Sequence, residues 1–455
     1  MFLLGIAGIF VVLVSGVAVK YFFQWRRSVY EIDNKEFLYA ALALCFAAVP
    51  LVTFVGYKVA INNQVTFHEN WNGWETRAEK YVTICTRDGS CRHCYDCDPY
   101  YVDQSYDCSY TDSKGKRVSK TCTRKVKKYH SCPYTTEEWT FVVKTTLDDY
   151  TIADHNLPTN PENWRWRPFH SVPDYIPSGV PQRWQEVKNR LDAGKPDPVV
   201  QRHDYDNYIL ASHTTIMKTY SESVAKYKAA NLFPAFNSQV YNLYYMNRVY
   251  FVGIQPAGNW QDAMMHFNGA LGMSLQGDLH LVVVDANKVT DPDNYHQALI
   301  AYWLSADFGK DALSKNGIVV VLGSKDGKTV EWARASTGMP LGNENLMVQI
   351  ASDMKGVSLT PEDVLGYPTA TVTGERSVNL TLTQSALEKL IWGPNKFQRV
   401  HMKSQGKGSA GFEYLLKELE PTGSQKIWIL VSAFLVGCIA WGICLIAGVP
   451  RYRSR

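Results

Sequence analysis

Three long, uncharged apolar runs constrain this chain before anything else does: Met1 to Val19, Phe37 to Tyr57 and Ile427 to Val449. Each comes close to the roughly 20 residues that a helix needs to cross a bilayer core. A buried core helix is usually shorter and keeps a polar face, whereas Ile427 to Val449 is interrupted only by Ser432, Cys438 and Cys444. The sequence therefore predicts three transmembrane helices, over residues 1–25, 37–57 and 427–449, with the lipid bilayer as a partner.

The flanks predict orientation. Arg26, Arg27 and Lys35 lie in the short link between the first two runs, and Arg451, Arg453 and Arg455 follow the third. Basic short loops mark the cytoplasmic side. The N-terminus and everything from about Lys58 to Lys426 are then expected outside, in a periplasm, a lumen or on a virion exterior, with the C-terminus cytoplasmic. A cleaved signal peptide would carry a basic n-region. No charge precedes Lys20, so the first run is expected to stay in the protein.

The net charge is only +4, from 47 Lys and Arg against 43 Asp and Glu. With no long basic run interleaved with aromatics, nucleic acid is not an expected partner. The densest basic patch spans Lys114 to Lys128 and reads as a solvated hairpin face; lipid headgroups or an acidic partner are its other readings.

That patch lies within a cysteine cluster: Cys85, Cys91, Cys94, Cys97, Cys108, Cys122 and Cys132. Clustered cysteines in an exported segment point first to disulfides stapling a small β module, here residues 62–148. Seven is odd, so one thiol is free, paired between chains or metal-bound. The spacing Cys91-Arg-His-Cys94 also suits zinc, with His93 and His130 as nitrogen ligands. A second clean Cys-x-x-Cys pair is missing and an oxidising compartment favours disulfides, which makes zinc the weaker alternative.

Residues 149–247 hold many prolines and tryptophans, including Trp164, Trp166 and Trp184. Proline bars long helices and central strands, and aromatics argue against disorder. An extended, ordered strap is expected, with a short helix over Ser221 to Leu232. From Arg248 the pattern alternates. Strands are expected at Val249 to Ile254, Leu279 to Asp285, Ile318 to Leu322 and Thr329 to Ala335. Helices are expected at Trp260 to Leu275, capped by Asn259, at Asp293 to Leu313, and at Asn343 to Asp353. This predicts a three-layer α/β fold over residues 248–357, with a helical extension over 358–425 leading back to the membrane.

The strand ending Val-Val-Val-Asp285, the helix with Tyr302-Trp303, the Lys315-Asn316-Gly317 opening of Ile318 to Leu322, and the strand ending Ser336-Thr337-Gly338 together resemble the TPM domain. That family occurs in membrane-anchored extracytoplasmic bacterial proteins and in a thylakoid lumen phosphatase. The resemblance covers about Arg248 to Gly356. More faintly, Trp71-Asn72-Gly73-Trp74, the cysteine cluster and Tyr205 to Leu210 are similar to uncharacterised Cys-rich membrane proteins of bacteriophages. The TPM resemblance implies an acidic site, calcium-binding in some members and hydrolytic in others. Carried onto this sequence, it makes Asp285 the candidate catalytic residue and Asp285, Asp326 and Glu344 the candidate metal ligands, with Glu331 as a weaker carboxylate. A carboxylate at the carboxyl end of an α/β strand sits where ligands bind. The family's acidic residue beyond the Thr-Gly is replaced here by Met339-Pro340-Leu341-Gly342-Asn343-Glu344, which counts against metal-assisted hydrolysis.

Gly406-Lys-Gly408-Ser-Ala-Gly411 fits a dinucleotide fingerprint only as a pattern, since no βαβ unit follows it. His266, His280, His296 and His401 are scattered and read as structural. Two functional expectations remain. One is a membrane-anchored interaction and assembly protein, oligomeric, docking an extracytoplasmic or membrane partner. The other is an extracytoplasmic metal-dependent phosphatase centred on Asp285.

Overall fold

The computed structural model describes residues 2–25, 32–111, 113, 115, 117–161, 176–212, 220–236, 247–305, 308, 313–339, 341–404 and 411–452. Three of its helices are long and apolar enough to cross a membrane. The first, α1, spans Phe2–Trp25 and the second, α2, spans Asn34–Val65 with one π turn at Leu44–Ala48. Asp33 and Glu36 form a capping box that starts α2 before the apolar run begins. The C-terminal helix covers Gly423–Tyr452. All three helices extend past the apolar cores read from sequence, because caps and polar turns continue a helix that hydropathy alone cannot see.

Packing of these helices depends on small residues. A Cβ on Gly16 would lie 2.4 Å from the Trp441 ring, and one on Gly437 would lie 2.9 Å from Val12. Trp441 is 1% exposed and donates its indole N–H to the Val12 carbonyl at 3.2 Å. Ala433 and Gly437 are thus spent on contacts within the chain.

α2 runs without a linker into β1 (Thr66–Ile84), a 19-residue strand. Beyond it come β2 (Cys94–Asp107), a short tip ladder of β3 (Tyr110–Thr111) with β4 (Arg117–Val118), and β5 (Thr121–Pro133). β6 (Glu137–Thr145) and β7 (Tyr150–Asn156) follow, then helix α3 (Gln182–Asp192) and strand β8 (Pro198–Asp206). A four-stranded antiparallel sheet forms in the order β7-β6-β1-β8. The described part of residues 149–247 is therefore not an extended strap. It supplies β7, α3, β8 and two further helices, and two of its prolines sit where elements begin: Pro181 is the N-cap of α3, and Pro198 opens the edge strand β8. Trp184 of α3 is buried against Phe141 and donates to the Val142 carbonyl at 3.1 Å. Trp164 and Trp166 lie outside the described residues.

β2 and β5 pair as a separate two-stranded arm that continues from the distal ends of β1 and β6. Among the described helices and strands, its substantial contacts are between its own strands. An isolated two-stranded ribbon is marginal in water, and disulfides Cys97–Cys132 at the base and Cys108–Cys122 near the tip staple this one.

The second folded unit begins with α4 (Ser221–Ala229) and β9 (Val249–Val252), then α5 (Trp260–Leu275), β10 (Asp278–Asp285), α6 (Pro292–Trp303), β11 (Gly317–Ser324) and β12 (Trp332–Thr337). α7 (Glu344–Asp353) follows, then a hairpin of β13 (Thr369–Val372) and β14 (Val378–Thr381), and α8 (Ala386–Ile391). Its sheet has the order β12-β11-β10-β9, with β9, β10 and β11 parallel and β12 antiparallel. This is an α/β arrangement with helices on both faces. Leu281, Val283, Ile318, Val320 and Leu322 point at α5, α7 and α8, while Val282, Val284, Val319 and Val321 point at α4 and α6.

One topological detail departs from the usual rule. β9, β10 and β11 lie side by side in sequence order, yet the crossover helices α5 and α6 occupy opposite faces. Their two crossovers therefore have opposite hands, and one is left-handed, against the strong right-handed preference. The placement puts α5 between the two sheets. Its outer face is cut back to glycine: a Cβ at Gly269 would meet Trp74 at 3.0 Å, and one at Gly272 would meet the Asn72 carbonyl at 2.4 Å. The Trp-Asn-Gly-Trp segment of β1 rests in that groove, with Trp74 fully buried.

Several boundaries shift from the sequence reading. α6 ends at Trp303 rather than Leu313, with residues 306–307 and 309–312 outside the described set. β12 opens at Trp332 rather than Thr329, and within the helical extension expected over 358–425 a 3-10 turn forms at Glu413–Glu418. Within 358–425, expected to be helical, the β13–β14 hairpin packs Ala370 and Val378 against Trp74. The Gly-rich fingerprint falls mostly on residues 405–410, outside the described set.

Candidate functional site

The candidate carboxylates do not converge. Asp285 ends β10 beside Ser324 of β11, so Asp285 and the following turn at Asp326 share the carboxyl edge of the sheet. β12 runs back antiparallel, with Thr337 opposite Ile318. Glu344 consequently lies beyond the other end of the sheet and cannot share an ion with Asp285. Each carboxylate also has a local task. Asp285 accepts from the backbone N–H of Asn287 at 3.0 Å and from its side-chain amide, and faces Lys288 Nζ at 3.7 Å. Asp326 accepts from the backbone N–H groups of Lys328 and Thr329 at 2.8 and 3.0 Å, and the first of these most strongly holds its carboxyl below the ordinary range. Glu344 accepts from the Gly342 N–H at 2.9 Å. Glu331 faces Lys325 at 3.6 Å. Among the described residues, the groups of three or more ligand atoms within 4.8 Å of one another are Cys85–Cys91–Glu138 and Cys97–Asp98–Cys132, and neither includes these acids.

At the opposite end of the sheet lies a buried charge cluster. Arg248 is 2% exposed, and Asp278 and His280 are each 1% exposed. Arg248 Nη2 reaches Asp278 Oδ2 at 2.9 Å, His280 Nε2 lies 3.4 Å from the same oxygen, and the Asn72 amide donates to Oδ1 at 3.2 Å. Burial alone would raise the Asp278 pKa, but the Arg248 guanidinium and then His280 more than offset that and hold it well below the ordinary range. Burial, reinforced by Arg248, pushes His280 down to about 4. Because Asn72 belongs to β1, the cluster clamps the two sheets together. Nearby, Asn316 of the Asn-Gly pair donates to the carbonyls of Asn70 and Gln276, both at 3.0 Å. That pair is a joint between sheets. The sequence did offer a signal for the cluster: Asp278 and His280 alternate onto one face of a strand that is otherwise apolar up to its terminal Asp285.

The cysteine module holds the other concentration of chemistry. Cys85 pairs with Cys91, Cys97 with Cys132 and Cys108 with Cys122, which leaves Cys94 as the odd thiol. His130, one of the two nitrogen ligands of the weaker zinc alternative, bonds Asp88 through Nδ1 at 2.6 Å. Glu138, 1% exposed, was missed in the sequence because it falls at the start of an ordinary strand. Its carboxylate accepts from the backbone N–H groups of Arg92 at 3.0 Å and His93 at 2.7 Å, and meets His155 Nδ1 at 2.7 Å. It thereby fixes the Cys91–Cys94 turn against β6. Glu75 is likewise buried, and burial lifts its pKa to about 7 although Arg190 Nη2 sits 2.8 Å away and opposes the rise.

No protein family, curated protein or solved structure was found to match the chain.

Proposed function

We propose that this chain is a membrane-anchored extracytoplasmic interaction and assembly protein, with a TPM-like α/β domain as its platform and the stapled arm as its docking element. In this reading residues from about 58 to 426 are extracytoplasmic, the C-terminus is cytoplasmic, and the protein works as a homo-oligomer or against another extracytoplasmic protein. The observation that carries it is the arm. A ribbon fixed by two disulfides finds no packing partner among the chain's other described elements, yet it exposes Tyr101 at 66%, Tyr106 at 45% and Tyr110 at 55%. Aromatics held rigidly in solvent are typical interface anchors. The test is the assembly state of the full chain in nanodiscs, by cross-linking and light scattering. Replacing the cross-strand pair Tyr101 and Lys127 by Ala should weaken assembly, and Asp285→Asn should not.

The competing reading, a metal-dependent phosphatase with calcium at Asp285, draws on the placement of Asp285 and Asp326 at the carboxyl edge of the sheet. A monomeric chain that hydrolyses a phosphate ester, with loss of that activity in Asp285→Asn, would establish it instead.

A further inference from the structure

The root of the arm brings a free thiol, a disulfide and a buried carboxylate together. Cys85 is 8% exposed and Cys91 9% exposed, and their sulfurs lie within 4.8 Å of a Glu138 carboxylate oxygen. Cys94 is partly exposed, and its Sγ turns back to 3.3 Å from the Cys91 carbonyl oxygen. The two intervening residues, Arg92 and His93, form a bend whose backbone N–H groups are both held by Glu138.

We propose that Cys94 is an exchange nucleophile for the Cys85–Cys91 bridge, so that the bond at the arm's root alternates between Cys85–Cys91 and Cys91–Cys94. The Cys94 thiol first loses its proton to water. Its thiolate attacks Cys91 Sγ, the Cys91–Cys94 bond forms as the Cys85–Cys91 bond breaks, and Cys85 leaves as a thiolate that takes a proton from water. One disulfide and one thiol are present before and after, so no oxidant or reductant is needed. The thiolate is the reacting form. A thiolate at Cys85 would be buried beside the Glu138 carboxylate, whereas one at Cys94 is closer to solvent. This asymmetry favours Cys85–Cys91 as the resting bridge and leaves Cys94 as the group that attacks.

The exchange has a mechanical consequence. The Cys85–Cys91 bridge closes a loop in which Asp88 grips the base of the arm. The Asp88 N–H donates to the Ser131 carbonyl at 2.8 Å, its carboxylate accepts from the Ser131 N–H at 2.8 Å, and His130 Nδ1 lies 2.6 Å away. Arg87 adds a contact to Asp98 at 3.3 Å. Transferring the bond to Cys91–Cys94 opens that loop and frees the arm to reorient about residues 85–93 and 134–136. The chemistry stands by itself. Its use as control over docking rests on the interaction reading above, and the two are measured separately.

The test uses the full chain in nanodiscs, without added reductant. Accessible thiols are trapped with an alkylating reagent over a time course, and bridges are mapped by non-reducing digestion and mass spectrometry. The expected result is that Cys94 and Cys85 compete for label, that every Cys85-labelled molecule carries the Cys91–Cys94 bridge, and that the Cys85 share rises as the reagent is made dilute enough for alkylation to be slower than exchange. Cys94→Ser should abolish labelling of Cys85, and Glu138→Gln should increase it several-fold. If Glu138→Gln fails to fold, Cys85→Ser serves in its place. Incubated with oxidised glutathione, it should form the Cys91–Cys94 bridge and show faster hydrogen exchange at residues 85–93 and 131–136 while β1 and β8 stay protected. Label confined to Cys94 even at the most dilute reagent, or equal Cys85 labelling in Cys94→Ser, would overturn the exchange. Exchange without any change in assembly would overturn only its link to docking.

Discussion

The buried histidine His296 makes acid stability a sharp test of the α/β unit. It lies on α6, 2% exposed, and neither ring nitrogen is hydrogen-bonded among the described residues. Burial pushes its pKa down to about 4, the Arg334 guanidinium adds to the effect, and Asp293 only partly opposes it. The sign follows directly. The unfolded chain binds this proton near the ordinary value of about 6.5, and the folded chain resists it until about pH 4. Stability from keeping His296 neutral is therefore complete above about pH 6.5 and drains away as the pH falls toward 4. With about 1.4 kcal/mol for each tenfold difference in proton affinity, the loss is about 3 kcal/mol in full and about 2 kcal/mol by pH 5. His280 titrates in the same window and contributes a similar loss.

His296→Leu should remove its share, so the variant's loss of stability between pH 7 and pH 5 should be smaller than the parent's by about 2 kcal/mol. At pH 7 the substitution should be neutral or mildly stabilising, since two unpartnered buried nitrogens disappear. Hydrogen exchange at the β10 and β11 amides, corrected for intrinsic rates at each pH, reads the difference where it arises. Identical acid loss in both proteins would refute the argument.

Gly16→Val should lower the melting temperature in detergent by an overpacking cost of about 1–3 kcal/mol, because its Cβ would sit 2.4 Å from the Trp441 ring. Gly442→Val is the control, as nothing lies within 4 Å of its added Cβ. Treatment with excess dithiol should strip hydrogen-exchange protection from β2 and β5 while leaving β10 and β11 protected, since two disulfides staple the arm and none lies in the α/β unit among the described residues. A reporter fused after Arg455 should read cytoplasmic and a cysteine placed at Lys325 should be labelled from outside; the reverse result would undo the three-span orientation.

By itself the sequence determined the three long apolar helices, the disulfide-rich segment and the alternation of strands and helices around β10 and β11. All three follow from local rules. Apolar run length answers to bilayer thickness, cysteine density to the need for staples, and a fully apolar strand to burial on both faces. The odd thiol was countable, and its identity as Cys94 was not, because pairing depends on which loops fold over which.

Tertiary structure alone decided the rest. β8 joins β1 across more than a hundred residues of sequence, and its partner set is fixed by sheet geometry that no local pattern carries. Placement of α5 between the sheets turned Gly269 and Gly272 from weak helix residues into the seat for Trp74 and Asn72. Reversal of β12 sent Glu344 to the far end of the sheet from Asp285. Burial did the remainder: Glu138 and His296 read as ordinary polar residues along the chain and acquire their chemistry only where packing removes water from around them.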